Sequence, residues 1–206
     1  MLLTIVALLV SYLLGSIPTA YLFGKYLKGI DIRKSGSGNV GATNALRVLG
    51  KRAGIVVLII DIAKGLVVVT LLADLFVNKS GLWQAQNLRI IMGLCCICGH
   101  IWTVFLQFKG GKGIATSFGV LLGLAMKIPG LNIVVGIVIL VWIIVFICFR
   151  MVSLASVLAA LALPILCLLF KQPLLLSLVN LLLSAFVIMR HKANLIRIFQ
   201  GKESRL

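Results

Sequence analysis

Long apolar runs constrain this chain more than any other feature. Windows at 2–27, 53–77, 88–102, 114–126, 131–149, 154–170 and 174–189 follow one another with only short polar connections between them. A bilayer crossing takes roughly 20 mostly apolar residues in helical form. The pattern therefore predicts an all-α polytopic membrane protein of about seven transmembrane helices. The third and fourth windows are short, so they tilt or form a re-entrant pair shielded by neighbouring protein. A hydrophobic share of 62% and a mean hydropathy of +1.20 exclude a soluble domain, and the whole chain, 1–206, is expected to be one integral-membrane domain. The first run resembles a signal peptide but lacks the basic segment that precedes such a region, so it is expected to remain as the first span.

Charge supplies the orientation. The formal net charge is +16, from 20 Lys and Arg against 4 Asp and Glu. Seven spans put fifteen basic residues on one side (Lys25, Lys28, Arg33, Lys34, Arg47, Lys51, Arg52, Lys109, Lys112, Arg150, Arg190, Lys192, Arg197, Lys202 and Arg205) and four on the other (Lys79, Arg89, Lys127 and Lys171). Cytoplasmic loops carry the basic excess. The N-terminus is then outside, the C-terminus cytoplasmic, and every unusual loop lies on the cytoplasmic face. Such an excess implies anionic partners. With no stretch long enough for a soluble nucleic-acid module, nucleic acid is excluded, and lipid head groups or phosphorylated small molecules remain.

Three segments carry candidate chemistry. In the first, 35–47 (SGSGNVGATNALR), Gly36, Gly38 and Gly41 allow backbone N–H groups to converge on an anion. Ser37, Asn39 and Thr43 add neutral donors, and Arg47 can fork onto phosphate oxygens. Thr43 or Asn44 is placed to cap a short helix through Leu49. The second, 108–116 (FKGGKGIAT), surrounds Lys109 and Lys112 with Gly110, Gly111 and Gly113 at the start of an apolar helix, a phosphate cradle. It is not a Walker A loop, because Gly113 stands where Ser or Thr is required. In the third, 190–197 (RHKANLIR), His191 and Asn194 are i, i+3 neighbours on one predicted helix face. Ser153 and Ser156 share a face of the sixth span, where small-residue packing and a functional role compete.

Buried polar residues elsewhere read more simply. Asp61 and Lys64 lie deep in the second span at i, i+3, a spacing that suits a structural salt bridge. Cys95, Cys96, Cys98, Cys148 and Cys167 all sit in apolar runs as small hydrophobes. Cys96 and His100 stand at i, i+4 without further ligands, so no metal site and no cofactor are expected. No internal repeat is visible, and the glycine motifs lie at span edges rather than at the midplane. Both features argue against a transporter of organic anions.

Taken together, residues 36–47, the Asp61-x-x-Lys64-Gly65 element, Gly99-His100 with 108–116, VSLAS at 152–156 and RHKANLIRI at 190–198 resemble the bacterial acyl-phosphate:glycerol-3-phosphate acyltransferase (PlsY) family. The resemblance runs along essentially the whole chain in the same order. It implies a seven-span inner-membrane enzyme with its active site at the cytoplasmic face, taking acyl phosphate and glycerol-3-phosphate and releasing lysophosphatidic acid and phosphate. By motif position it implies Ser37, Arg47, Lys112, Ser153, His191 and Asn194 as catalytic and ligand residues. Acyltransferases that use a His-x4-Asp dyad are excluded, since the residue five after His100 is Phe105 and five after His191 is Ile196.

Overall fold

The computed structural model describes residues 1–79 and 84–205, and all regular structure among them is helical. The chain forms two compact units, Met1–Lys127 and Ile128–Leu206.

In the first unit, α1 (Leu2–Ser16) and α2 (Thr19–Lys28) make one span broken at Ile17-Pro18. The apolar run reads as one span, but proline has no N–H to donate and disfavours helical geometry in the residue before it. Ile17 accordingly adopts φ −56, ψ 113. Carbonyl groups released there find side-chain donors: Thr103 Oγ1 donates to Ser16 O at 2.5 Å and Lys64 Nζ to Ile17 O at 3.2 Å. Helix α3 (Ala42–Leu49) leads into α4 (Lys51–Val67), which passes through a π-helical segment, Val68–Leu72, to α5 (Ala73–Val77). Arg89, in α6 (Ala85–Ile101), donates to Val69 O in that segment at 2.9 Å and pairs with Asp74. Arg89 is thus buried in α6 and paired there, and it weighs less in the fifteen-to-four partition than an exposed loop cation would. Helix α7 (Ile114–Ala125) completes the unit.

Two helix pairs dominate this unit, α1 on α6 and α4 on α7. Both depend on close backbone approach. A Cβ at Gly99 would overlap the Tyr12 carbonyl, and one at Gly119 would overlap that of Ile62. Small residues at such crossings are the usual basis of helix association in lipid, where the hydrophobic effect does not act between helices.

The second unit contains α8 (Leu131–Phe149), α9 (Val152–Leu169), α10 (Leu174–Arg190) and α11 (Lys192–Phe199), with α9 packed against both α8 and α10. Trp142 Nε1 donates to Ser156 Oγ at 3.3 Å across α8 and α9. Ser156 is therefore interhelical glue, the packing role that competed with a functional one.

Among the described residues, five helical segments are long and apolar enough to cross a bilayer: Leu2–Lys28, Lys51–Val77, Ala85–Leu106, Leu131–Phe149 and Val152–Leu169. A sixth is reached if α10 and α11, bent by 56°, count as one span. The third segment, read as short from its apolar window, is full length because α6 starts at Ala85 and a 3-10 turn prolongs it to Leu106. The fourth remains short. At 12 residues, α7 is about 18 Å long against a hydrocarbon core of about 30 Å.

Candidate active site

The first polar segment is built around one amide side chain. Asp31 caps a 3-10 turn (Ile32–Lys34) by accepting the Arg33 N–H at 3.0 Å and also binds the Arg33 guanidinium, which lies 5.2 Å from the Tyr21 ring centroid. The hydrogen bonds from the Arg33 side chain pull the Asp31 carboxyl down to about 2. The chain then wraps around Asn44. Its Oδ1 accepts the Ser37 N–H at 2.9 Å, and its Nδ2 donates to Asn39 O at 2.8 Å, Ser35 O at 3.1 Å and Ile32 O at 3.3 Å. Gly36, at φ +60, passes so close that a Cβ would overlap Asn44 Oδ1. Helix α3 starts after Gly41, so neither Thr43 nor Asn44 caps it. Asn44 instead fixes the loop that presents Ser37, Gly38 and Asn39, with Ser37 and Arg47 exposed and Thr43 half-buried.

The second segment is folded back onto the end of α6. Gly110 N–H donates to Ile101 O and Gly111 N–H to His100 O, each at 3.0 Å. A Cβ at Gly110 would overlap the His100 carbonyl, and one at Gly111 the His100 imidazole. These two amides are spent on the chain itself, so the glycine requirement here comes from backbone packing and not from open N–H groups aimed at an anion. The preceding turn is strained, since Gln107 and Phe108 both have left-handed φ, 54 and 61. Such strain is held only where surrounding structure over-determines it. Gly113, at φ +85, starts α7 and puts half-buried Lys112 directly before the helix. The first-turn N–H groups of a helix have no intrahelical acceptor and attract anions.

The first segment and the turn before the second meet in one apolar cluster. Ile32 and Val40 flank the first loop, Ala45 lies in α3 and Leu106 precedes the second loop, and they pack together with Ala20 and Val57. This floor carries the first segment and the turn that leads into the second, within the first unit.

The second unit holds the remaining site residues on an unexpected one. Glu203, with 3% of its side chain exposed, accepts from Ser153 Oγ at 2.7 Å and Asn194 Nδ2 at 2.6 Å through Oε1. Its Oε2 accepts from Arg197 Nε at 2.7 Å. Burial alone would raise the Glu203 pKa, but the bonds from Asn194, Ser153 and Arg197 outweigh it, and the carboxyl lies below its ordinary value. His191 and Asn194 do not share one continuous helix, because α10 ends at Arg190 and the bend falls at His191. Both are nevertheless buried. His191 Nδ1 is 2.7 Å from Val187 O. A carbonyl only accepts, so Nδ1 carries a proton and donates it to Val187 O. Sequence reasoning missed Glu203 altogether. The only available signal was an acidic residue, one of four in the chain, placed shortly after a basic segment.

The profile of the glycerol-3-phosphate acyltransferase family matches residues 5–201. A glycerol-3-phosphate acyltransferase of Prochlorococcus marinus (strain NATL1A) is 46% identical over 200 residues, covering 95% of this chain and 94% of its own. One from Geotalea daltonii is 42% identical over 200 residues, covering 97% and 96%. Among solved structures, the crystal structure of PlsY (YgiH), an integral membrane glycerol 3-phosphate acyltransferase, superposes in its glycerol 3-phosphate form with a TM-score of 0.85 at 34% identity, covering 98% of this chain and 95% of that one. The lysophosphatidic acid form gives 0.82 at 33% identity with the same coverage.

Proposed function

Since the chain belongs to the glycerol-3-phosphate acyltransferase family, we propose that it transfers a fatty acyl group from acyl phosphate to the 1-hydroxyl of glycerol-3-phosphate, giving lysophosphatidic acid and phosphate. The whole chain serves as one acyltransferase domain in the cell inner membrane, with its chemistry on the cytoplasmic side. The observation that carries the choice of donor is the second loop, which is clamped to α6 and delivers Lys112 to the first turn of α7. A cation beside the N-terminus of a helix suits a phosphate, and a phosphate is what the proposed donor and acceptor have in common.

Acyl phosphate is a mixed anhydride with a good leaving group, so the acceptor hydroxyl attacks the carbonyl directly and no acyl-enzyme is required. The C–O bond to the glycerol oxygen forms, the C–O bond to phosphate breaks, and phosphate leaves with the electron pair. Lys112 and Arg47 offset the repulsion between two phosphate-bearing substrates and stabilise the developing oxyanion. Ser37 and the first-turn amides of α7 add neutral donors. Holding two substrates in register contributes several kcal/mol. In the second unit, Glu203 accepts hydrogen bonds from the Ser153 hydroxyl and from Asn194 Nδ2. Ser153 Oγ is thereby turned into an acceptor toward any further partner, which suits glycerol hydroxyls better than phosphate. The attacking hydroxyl gives its proton to a substrate phosphate, whose second pKa near 6 suits the task. His191 braces this region.

Purified protein supplied with glycerol-3-phosphate and, separately, acyl phosphate, acyl-CoA or acyl-carrier protein tests the proposal. Rapid lysophosphatidic acid formation is expected from acyl phosphate alone. Comparable turnover with acyl-CoA would sink the donor assignment.

A further inference from the structure

The proposed chemistry leaves one buried polar group without a task. Asp61 and Lys64 of α4, His100 of α6 and Thr19 of α2 are all at most 9% exposed. Lys64 Nζ lies 2.9 Å from Asp61 Oδ1, and the same oxygen accepts from Thr19 Oγ1 at 3.0 Å. His100 Nδ1 stands 3.8 Å from it, too far for a direct hydrogen bond but near enough for the carboxylate to orient the ring. A salt bridge that only covers the break in the first span accounts for Lys64 and its bond to Ile17 O. It does not account for the other side of His100, where the imidazole occupies the space a Gly111 Cβ would need while the His100 carbonyl accepts the Gly111 N–H. One residue therefore touches Gly111 with both ring and backbone, directly before Lys112.

We propose that His100, oriented by the buried Asp61–Lys64 pair, is a positioning residue that sets the second glycine loop and hence the placement of Lys112. Its bearing on substrate binding rests on the acyltransferase function proposed above, whereas its hold on the loop does not. Asp61, held by Lys64 and Thr19, supplies a carboxylate inside the membrane domain and His100 relays that constraint sideways; Gly111 is glycine because the His100 ring lies against it, and Gly110 because the His100 and Ile101 carbonyls do. The loop is then held in place before any substrate arrives, as pre-organised electrostatic stabilisation requires.

Hydrogen exchange of the Gly110 and Gly111 amides in the full-length, detergent-solubilised chain tests the hold. Exchange at least tenfold faster is expected in both His100→Ala and Asp61→Asn, the second being isosteric and preserving the packing. If His100→Ala does not fold, His100→Asn takes its place. Protection unchanged at Gly110 and Gly111, with faster exchange confined to residues 14–19 at the break, would overturn the proposal and leave the ion pair a purely local brace. In the acyl-transfer assay, the same variants should raise KM for a phosphate-bearing substrate at least fivefold while kcat stays within about threefold. Faster exchange with both KM values unchanged would overturn the link to binding. A wild-type chain that uses no acyl donor would defeat the proposed function, and the exchange measurement would still decide whether His100 holds the loop.

Discussion

A histidine at a helix bend can serve as a base or as a brace, and the two nitrogens of His191 separate these roles. Nδ1 closes a bond to Val187 O at the end of α10, which is brace work, whereas a base would act through Nε2. Asparagine carries its amide nitrogen close to where Nδ1 sits, so His191→Asn should keep the bond to Val187 and stay within about tenfold of the wild-type rate. Were His191 the general base, Asn would lose about 10²–10⁴-fold, the usual contribution of such a group. A folded His191→Asn that binds glycerol-3-phosphate yet shows no turnover would restore the base. Ser153 and Ser156 make the same point about partners. They share a helix face three residues apart, yet Ser156 accepts from Trp142 in α8 while Ser153 donates to Glu203 fifty residues on. Residue type and spacing are equal for the two, and only what the neighbouring elements bring to each hydroxyl differs.

Among the elements, the tail beyond α11 has the most consequence for its length. Its Glu203 gathers Ser153 from α9 with Asn194 and Arg197 from α11. Glu203→Gln keeps an acceptor for Ser153 and Asn194 but sets an NH2 against Arg197 Nε. Losing one charge-assisted hydrogen bond costs about 1.5–3 kcal/mol, so activity should fall roughly tenfold to a hundredfold, and tail amides should exchange faster in proportion. The pH sign follows from the depressed Glu203 pKa. Because the folded value lies below the unfolded one, the stabilisation is fully present above the ordinary carboxyl value and fades as pH falls through the lower folded value. Tail protection should therefore stay flat from about pH 5.5 to 8 and fail only in acid. A step in tail exchange near neutral pH would contradict the assignment. The broken first span teaches a related lesson: Pro18 is plain in the chain, but its freed carbonyls are served by Lys64 and Thr103, residues from two other spans.

For the molecule as a whole, the open quantity is the number of crossings, and α7 decides it. Seven crossings with a cytoplasmic C-terminus put residues 35–44 inside and Lys127 outside. In a background with the five cysteines replaced (Cys148, at the end of α8, is exposed), a cysteine introduced in 35–44 should react only after the cytoplasmic side is opened to an impermeant reagent. One at position 127 should react in intact cells. Labelling of both positions from the same side would show that α7 does not cross and would return the chain to six spans.

Helix positions were legible in advance because the signal is local: a run of apolar residues is a bilayer-length helix whatever surrounds it. Windows at 131–149 and 174–189 coincide with α8 and α10 within a residue. Polar loops were legible for a similar reason, since glycines, serines and basic residues crowded between apolar runs interrupt the hydrophobic pattern. What the sequence could not supply was where each polar group's hydrogen bonds end. Thr43 or Asn44 read as a helix cap, and Asn44 proved to be the hub of a loop. Gly110 and Gly111 read as an anion cradle, yet they are glycine because His100 lies against them. Glu203 went unnoticed because Ser153 is fifty positions away. A desolvated donor or acceptor must find a partner, but the partner is chosen by which helices pack together, and that choice depends on close contacts, such as Gly99 on Tyr12 and Gly119 on Ile62, that only the assembled structure brings within reach.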